Sequence, residues 1–185
     1  MSKNVSSIPK ITLGIALIAL GMLLFLKKPG EVVQNDSFEN EPVKVELLPN
    51  ENLDEKEIPK RIIIPELGID LEVAKANVIN GFWEVYKDKA GWGVGSGLPG
   101  QSANQVIFAH AREGLFKPLR SIKVEDKIYV LNDQNWYDYK VSDIVEVDPS
   151  QTEVIGPAGE EILTLYTCSG FSDEKRLIVK AKPAN

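Results

Sequence analysis

The sequence predicts an all-β fold, a closed barrel of about eight strands with short helical turns, preceded by one N-terminal transmembrane helix. Three observations support this fold class. Past Lys60, short runs of alternating or continuous apolar residues follow one another, and the helical period is scarce. An uncharged apolar stretch lies near the N-terminus. The 185 residues, 43% hydrophobic and 26% charged, leave room for one ordinary domain plus extra segments.

The apolar stretch covers residues 11–26, ITLGIALIALGMLLFL, and has lysines on both sides. At ~1.5 Å per residue it covers roughly 24 Å of a ~30 Å hydrocarbon core, so the lysine side chains would reach the headgroups. We therefore predict a cytoplasmic tail over 1–10 and an uncleaved transmembrane anchor over 11–28. A cleaved signal peptide is the alternative, although the following FLKKPGEVV lacks the small residues of a cleavage site.

The orientation of the anchor indicates where the folded domain lies, and the charge of the remaining chain limits the partners that it can bind. Two lysines lie on each side, and the free α-amino group favours a single-pass membrane protein whose folded domain is extracytoplasmic. Residues 29–59 are predicted to be a disordered acidic stalk, with nine acidic residues against two lysines (net −7). Residues 60–185, the predicted barrel, carry eighteen acidic and fifteen basic residues (net −3), which gives no support for nucleic-acid binding.

The predicted strands are short, rich in Val, Ile, Tyr and Trp, and separated by Pro, Gly, Asn and Asp. Eight such runs in the last 126 residues are typical of a barrel. They cover 61–64, 69–74, 81–86, 105–109, 127–131, 136–147, 161–167 and 177–181. The stretch AGWGVGSGLPGQ, 90–101, has five glycines and is predicted to be a surface loop.

Cys168 is the only cysteine, and four interpretations of it compete. An intrachain disulfide is excluded because there is no second cysteine, whereas an intermolecular disulfide stays open. A structural zinc site needs four Cys or His ligands, and the chain has one residue of each type, so we expect no metal and no cofactor. A buried thiol can serve as a small hydrophobic group. The small polar residues and glycine of TCSG instead favour a strand exit, where a thiol could be a nucleophile.

A thiol nucleophile needs a proton acceptor or a positive charge nearby. His110, the only histidine, ends the run NQVIFAHA at a second predicted strand exit, and two such exits can face each other across a barrel rim. Arg176 follows Cys168 after seven residues, so an antiparallel pair would return it beside the cysteine. A guanidinium there could stabilise an oxyanion or hold a substrate carbonyl. The structural interpretations stay open: a core histidine at His110 and a surface cation at Arg176.

Three separated segments resemble the sortase family. TLYTC at 164–168, followed by RLIV at 176–179, is similar to the family's Thr-Leu-x-Thr-Cys strand end and arginine-led strand. VIFAHA, with FKPLRSIKVEDKIYV downstream, resembles its histidine segment, although Phe108 and Ala109 stand where the family often has Ala-Gly. RIIIPELGIDLEV at 61–73 resembles its first two strands. The resemblance covers 60–182 and agrees in the order His, Cys, Arg.

The resemblance implies an eight-stranded sortase-type barrel and a membrane-anchored cysteine transpeptidase. Such an enzyme cleaves a Leu-Pro-x-Thr-Gly-type sorting signal between Thr and Gly and transfers the acyl group to an amine. It implies Cys168 as nucleophile, His110 as acid and base, Arg176 as oxyanion or substrate anchor, and Thr167 as a substrate-binding residue. The implied partners are surface proteins with a C-terminal sorting signal and an amine of the peptidoglycan precursor or a pilin.

Two other functions are compatible with the sequence. A cysteine peptidase that releases its acyl group to water would use the same acyl-enzyme. A tethered, non-catalytic β-barrel binding module would use Trp83, Trp92 and Trp136 as contact aromatics, although tryptophans are more often core residues.

Overall fold

Ten strands and four short 3-10 turns make up the part of the chain that the computed structural model describes, residues 53–184. The 3-10 turns are Pro65–Leu67, Lys117–Ser121, Thr152–Ile155 and Phe171–Asp173. The strands are β1 (Arg61–Ile64), β2 (Ile69–Ala76), β3 (Val78–Ile79), β4 (Phe82–Trp83), β5 (Ala90–Gly93), β6 (Asn104–Phe108), β7 (Lys127–Leu131), β8 (Trp136–Val147), β9 (Ile162–Ser169) and β10 (Lys175–Pro183).

Eight of these strands close a barrel in the order β1-β2-β5-β6-β9-β10-β8-β7, and β7 pairs with β1. The neighbours β2–β5 and β6–β9 are parallel, and the other neighbouring pairs are antiparallel. The remaining strands, β3 and β4, form a separate two-stranded hairpin. The predicted all-β closed barrel with short helical turns is confirmed for the described residues.

One barrel strand lies where the sequence predicted a surface loop. All four residues of β5, Ala90–Gly93, are buried, and the predicted strand 81–86 contributes only Phe82–Trp83 to the hairpin outside the barrel. The glycines permit close packing: a Cβ at Gly93 would lie 2.4 Å from the Trp83 ring, and one at Gly91 would lie 2.9 Å from the Phe108 ring. Glycine here makes room for aromatic rings and does not mark a turn.

Side chains alternate between the two faces of the barrel wall, as the two-residue period of a strand requires. The inner core fills the barrel with apolar groups from each of the eight barrel strands, among them Ile107, Leu165 and Val179. A second set, the outer cluster, covers one side of the wall. It consists of Ala76, Trp83, Val106, Phe108, Val147, Tyr166 and Ile178.

The folded part of the chain begins before the predicted boundary at residue 60. Ile58 is 1% exposed and belongs to the inner core, and Leu53 packs against it. The Lys60 amide donates to the Leu131 carbonyl (2.7 Å), which ties this segment to β7. Residues 53–59 therefore belong to the barrel domain and not to the stalk. The acidic composition of this segment predicted a solvated chain, but its one isoleucine, Ile58, is buried in the inner core.

No helix within residues 53–184 has the length and apolarity needed to cross a membrane. The predicted tail, the anchor over 11–28 and the stalk up to residue 52 lie outside the described residues.

Candidate active site

Cys168 lies inside strand β9 and on the outer face of the barrel wall. Its neighbours in the alternation, Thr164 and Tyr166, share that face, whereas Leu163 and Leu165 point into the inner core. The strand continues to Ser169 because the ladder with β10 extends through the Ser169–Lys175 pair. The predicted end of the strand at Thr167 is therefore wrong, and the thiol, 2% exposed, is buried in the wall.

Arg176 lies directly across the β9–β10 ladder from Cys168, as the seven-residue connection predicted. Directly opposed residues of an antiparallel pair share a face of the sheet. Arg176 is 4% exposed, so its interpretation as a surface cation is wrong. Its Nε donates to the Tyr166 hydroxyl (3.0 Å), and its Nη1 donates to the Lys175 carbonyl (3.0 Å).

His110 follows strand β6, which runs parallel to β9 with Phe108 opposite Tyr166. The pairing continues beyond the strand, because the Ala109 amide donates to the Tyr166 carbonyl (3.3 Å). The register of β6 and β9, extended two residues past Phe108, corresponds to the pair His110 and Cys168. Ala109 packs in the inner core, and His110, which lies beyond the end of the strand, is half-buried.

Cys168 and Arg176 thus lie on the neighbouring strands β9 and β10, and His110 follows β6, the neighbour of β9 on its other side. Because β6 and β9 are neighbours, their ends lie side by side in the sheet and not across the barrel rim. Adjacent strands of a sheet lie ~4.8 Å apart, closer than positions across a barrel. The carbonyl of His110 also accepts a hydrogen bond from the Phe116 amide (3.0 Å), which fixes the loop that carries it.

Thr167 belongs to the opposite face of the wall. It is fully buried, and its hydroxyl donates to the Ala109 carbonyl (2.7 Å). The hydroxyl of Thr167 is therefore engaged inside the wall, and a contact between the substrate and Thr167, through its hydroxyl or its backbone, stays a prediction. The hydrogen bond joins β9 to the residue immediately before His110.

The outer cluster supports the site from one side. Phe108 stacks on Trp83, with ring centroids 5.5 Å apart and an interplanar angle of 11°, and Trp83 donates to the Val94 carbonyl (2.8 Å). This stack accommodates Phe108 where the family often has a smaller residue. Trp83 and Trp92 are buried, at 3% and 0% exposure, and do not fit a set of contact aromatics for a binding module; Trp136 is 66% exposed.

Tyr166 is the residue of the site that sequence reasoning missed. It is 8% exposed, lies two positions before Cys168 on the same face, and contacts Arg176 through its hydroxyl. The two-residue alternation of a strand is the signal that could have found it, because every second residue before the cysteine must share its face.

The arrangement combines a thiol, an imidazole-bearing residue and a guanidinium on one surface. These groups suffice for nucleophilic attack on a carbonyl, proton transfer and stabilisation of an oxyanion. Within residues 53–184, no group of three or more His, Cys, Asp or Glu side chains is arranged to hold a metal ion.

Comparison with known proteins identifies the family. Residues 62–184 match the model of the sortase domain. Sortase A of Bacillus anthracis is 32% identical over 139 residues, which make up 71% of this chain and 62% of that protein. The chain therefore spans less than two thirds of the length of this curated relative.

Solved sortase structures have the same fold. Sortase A from Corynebacterium diphtheriae (a lid mutant) superposes with a TM-score of 0.60 at 25% identity and covers 74% of each chain. The Clostridium perfringens sortase D5 transpeptidase superposes with a TM-score of 0.61 at 23% identity, covering 73% of this chain and 84% of that one. With its closed eight-stranded barrel and its match over residues 62–184, this chain belongs to the sortase family.

Proposed function

We propose that this chain is a membrane-anchored cysteine transpeptidase that cleaves a sorting signal of the Leu-Pro-x-Thr-Gly type between Thr and Gly. The observation that carries the proposal is the pairing of Cys168 with a buried Arg176 across one ladder position, with His110 at the end of the neighbouring strand. A buried arginine beside a buried thiol is an uncommon feature of a barrel wall, since arginine is rarely buried without a specific role.

The first half-reaction forms a thioester. The Cys168 thiolate attacks the threonine carbonyl carbon, and a C–S bond forms as the carbonyl becomes an oxyanion. The oxyanion collapses, the C–N bond to glycine breaks, and the imidazolium of His110 gives its proton to the leaving amine. Because Cys168 is only 2% exposed, acylation requires neighbouring side chains to move aside.

The second half-reaction transfers the acyl group. Neutral His110 accepts a proton from the incoming amine, whose nitrogen attacks the thioester carbon. The new C–N bond forms, the C–S bond breaks, and the thiolate and imidazolium return. Arg176 would hold the carbonyl oxygen in both halves, because a guanidinium is always charged and donates several hydrogen bonds in a fixed plane.

Thr167 takes a different role in this proposal from the one that the family resemblance implied. Its hydroxyl is used by the Ala109 carbonyl on the inner side of the wall (2.7 Å). We assign this hydroxyl to the positioning of His110, and a contact between the substrate and Thr167 stays a prediction.

The partners follow from the same reaction. The substrates would be surface proteins with a C-terminal sorting signal, and the acceptor would be an amine of the peptidoglycan precursor or of a pilin. Anchoring through residues 11–28 in the cell membrane, with the barrel outside the cytoplasm, would hold the enzyme where both substrates are available.

The test uses the full 185-residue chain in detergent micelles, with a quenched fluorescent Leu-Pro-x-Thr-Gly peptide library and a set of amines. We expect Cys168→Ala to lose both cleavage and acyl-enzyme formation. Mass spectrometry of the peptide products and of the protein measures both. Ser169→Ala is the matched control, because Ser169 is the next residue of β9, is 1% exposed and faces the inner side of the wall.

The products decide between the candidate activities. Cleavage after Thr with amine incorporation supports the transpeptidase. Release of the free acid with every amine would favour a cysteine peptidase instead. Wild-type turnover in folded Cys168→Ala would refute the nucleophile assignment, and absence of any acyl-enzyme would favour the binding module.

A further inference from the structure

We propose that Tyr166 is a positioning residue that orients the guanidinium of Arg176 toward Cys168, an inference that rests on the proposed function. The hydroxyl of Tyr166 accepts a hydrogen bond from Arg176 Nε at 3.0 Å. Tyr166 and Arg176 are diagonal neighbours on the outer face, because Arg176 pairs with Cys168 and Tyr166 pairs with Ile178. Tyr166, two positions before Cys168, thus contacts Arg176, the residue opposite Cys168.

Two hydrogen bonds from different atoms fix the plane of the guanidinium. Nε donates to Tyr166, and Nη1 donates to the Lys175 carbonyl (3.0 Å). The guanidinium is rigid and planar, so two fixed donors determine where its other N–H groups point. Stabilisation of an oxyanion depends on such pre-orientation, since a donor that must reorganise during the reaction contributes less.

The tyrosine itself is held firmly enough to serve as a support. Its ring packs in the outer cluster with Phe108 and Ile178, and the residue is 8% exposed. The backbone carbonyl of Tyr166 accepts a hydrogen bond from Ala109, next to His110. One residue therefore links the strand end that carries His110 with the side chain of Arg176.

Tyr166→Phe removes the hydroxyl and keeps the ring, so it isolates this contact. In the full-length protein we expect kcat for sorting-peptide cleavage to fall about 10-fold with KM within twofold, in line with hydrogen bonds to charged groups. Tyr139→Phe is the matched control: Tyr139 is 1% exposed and belongs to the inner core, and its hydroxyl donates to Glu161 (2.8 Å). We expect Tyr139→Phe to change the melting temperature but not kcat.

A double-mutant cycle separates positioning from a general structural role. If Tyr166 acts through Arg176, Tyr166→Phe should cost no further activity in an Arg176→Lys background. A wild-type kcat for Tyr166→Phe, or an undiminished 10-fold loss in the Arg176→Lys background, would overturn the proposal.

A second readout does not depend on peptide cleavage. The Nε–H resonance of Arg176, recorded in ¹⁵N-labelled full-length protein, should exchange slowly with solvent in the wild type and faster in Tyr166→Phe. An unchanged resonance overturns the positioning role even if the wild type cleaves no peptide. Failure of all wild-type cleavage, with the expected change in the resonance, would instead refute the proposed function alone.

Discussion

The two faces of strands β9 and β10 differ in the chemistry of their side chains, although their residues alternate one by one. The inner residues Leu163, Leu165 and Leu177 are buried apolar groups that fill the barrel. The outer residues Tyr166, Cys168 and Arg176 carry the polar and nucleophilic groups of the candidate site. The same backbone ladder therefore stabilises the domain on one side and aligns reactive groups on the other.

The comparison also explains why neighbours in sequence have unrelated roles. Thr167 and Cys168 are adjacent, yet the threonine hydroxyl lies inside the wall and donates to Ala109, whereas the thiol lies outside opposite Arg176. Substitutions on the inner face should change stability, and substitutions on the outer face should change activity. Three substitutions test this division.

On the inner face, Leu165→Ala should lower the free energy of unfolding by about 2–5 kcal/mol, because it leaves a cavity in a fully buried position. Urea denaturation of the full chain measures this loss, and turnover per folded molecule should stay within twofold. Val145→Ala, on the outer face and 37% exposed, is the control and should cost about 0.5 kcal/mol or less. A large loss of turnover per folded Leu165→Ala molecule would contradict the division.

On the outer face, Arg176→Lys should lower kcat/KM about 100-fold, which corresponds to about 2.7 kcal/mol. A lysine ammonium cannot hold Tyr166 and a carbonyl oxygen in one fixed plane. Steady-state cleavage of the preferred sorting peptide measures the effect. Arg61→Lys makes the same change at an exposed ion pair with Asp70 and should leave kcat/KM unaltered. Activity near wild type in Arg176→Lys would show that Arg176 takes no part in the reaction.

Thr167→Val tests the boundary of this division, because Thr167 is an inner-face residue whose hydroxyl donates to the Ala109 carbonyl beside His110. The substitution should cost about 1–3 kcal/mol of stability and lower kcat several-fold, because that carbonyl loses its donor. Thr164→Val is the matched control. Thr164 lies on the same strand as Thr167 and is equally buried, and its hydroxyl donates to Asn104 Oδ1 (2.7 Å). We expect a similar stability loss there without a change in kcat. Equal kcat values for the two variants would show that the hydrogen bond from Thr167 to the Ala109 carbonyl does not position His110.

Most of the fold could be predicted from the sequence, because alternation and turn residues are local signals. The runs at 61–64, 127–131 and 136–147 coincide with β1, β7 and β8. Strand β5 could not be found in this way, since two of its four residues, Gly91 and Gly93, have no side chain to alternate. Its burial depends on Trp83 and Phe108, which come from other parts of the chain.

The candidate site was predictable where it depends on a short connection. Cys168 and Arg176 are joined by one hairpin, so their proximity follows from the sequence spacing. The position of His110 depends on the parallel pairing of β6 with β9, which no local pattern encodes. The contact from Tyr166 to Arg176 needed the correct end of β9, and the predicted strand stopped two residues before Ser169.

Strand β10 is the last barrel strand in chain order, yet it lies between β8 and β9. A nascent chain therefore holds two open sheet edges until β10 has been synthesised and inserts between them. The pairing of β10 with β9 is a local hairpin, whereas its pairing with β8 joins more distant parts of the chain and is the slower of the two. Arg176 therefore comes opposite Cys168 when the hairpin forms, before the barrel closes, and a polypeptide made only as far as β9 lacks this pair.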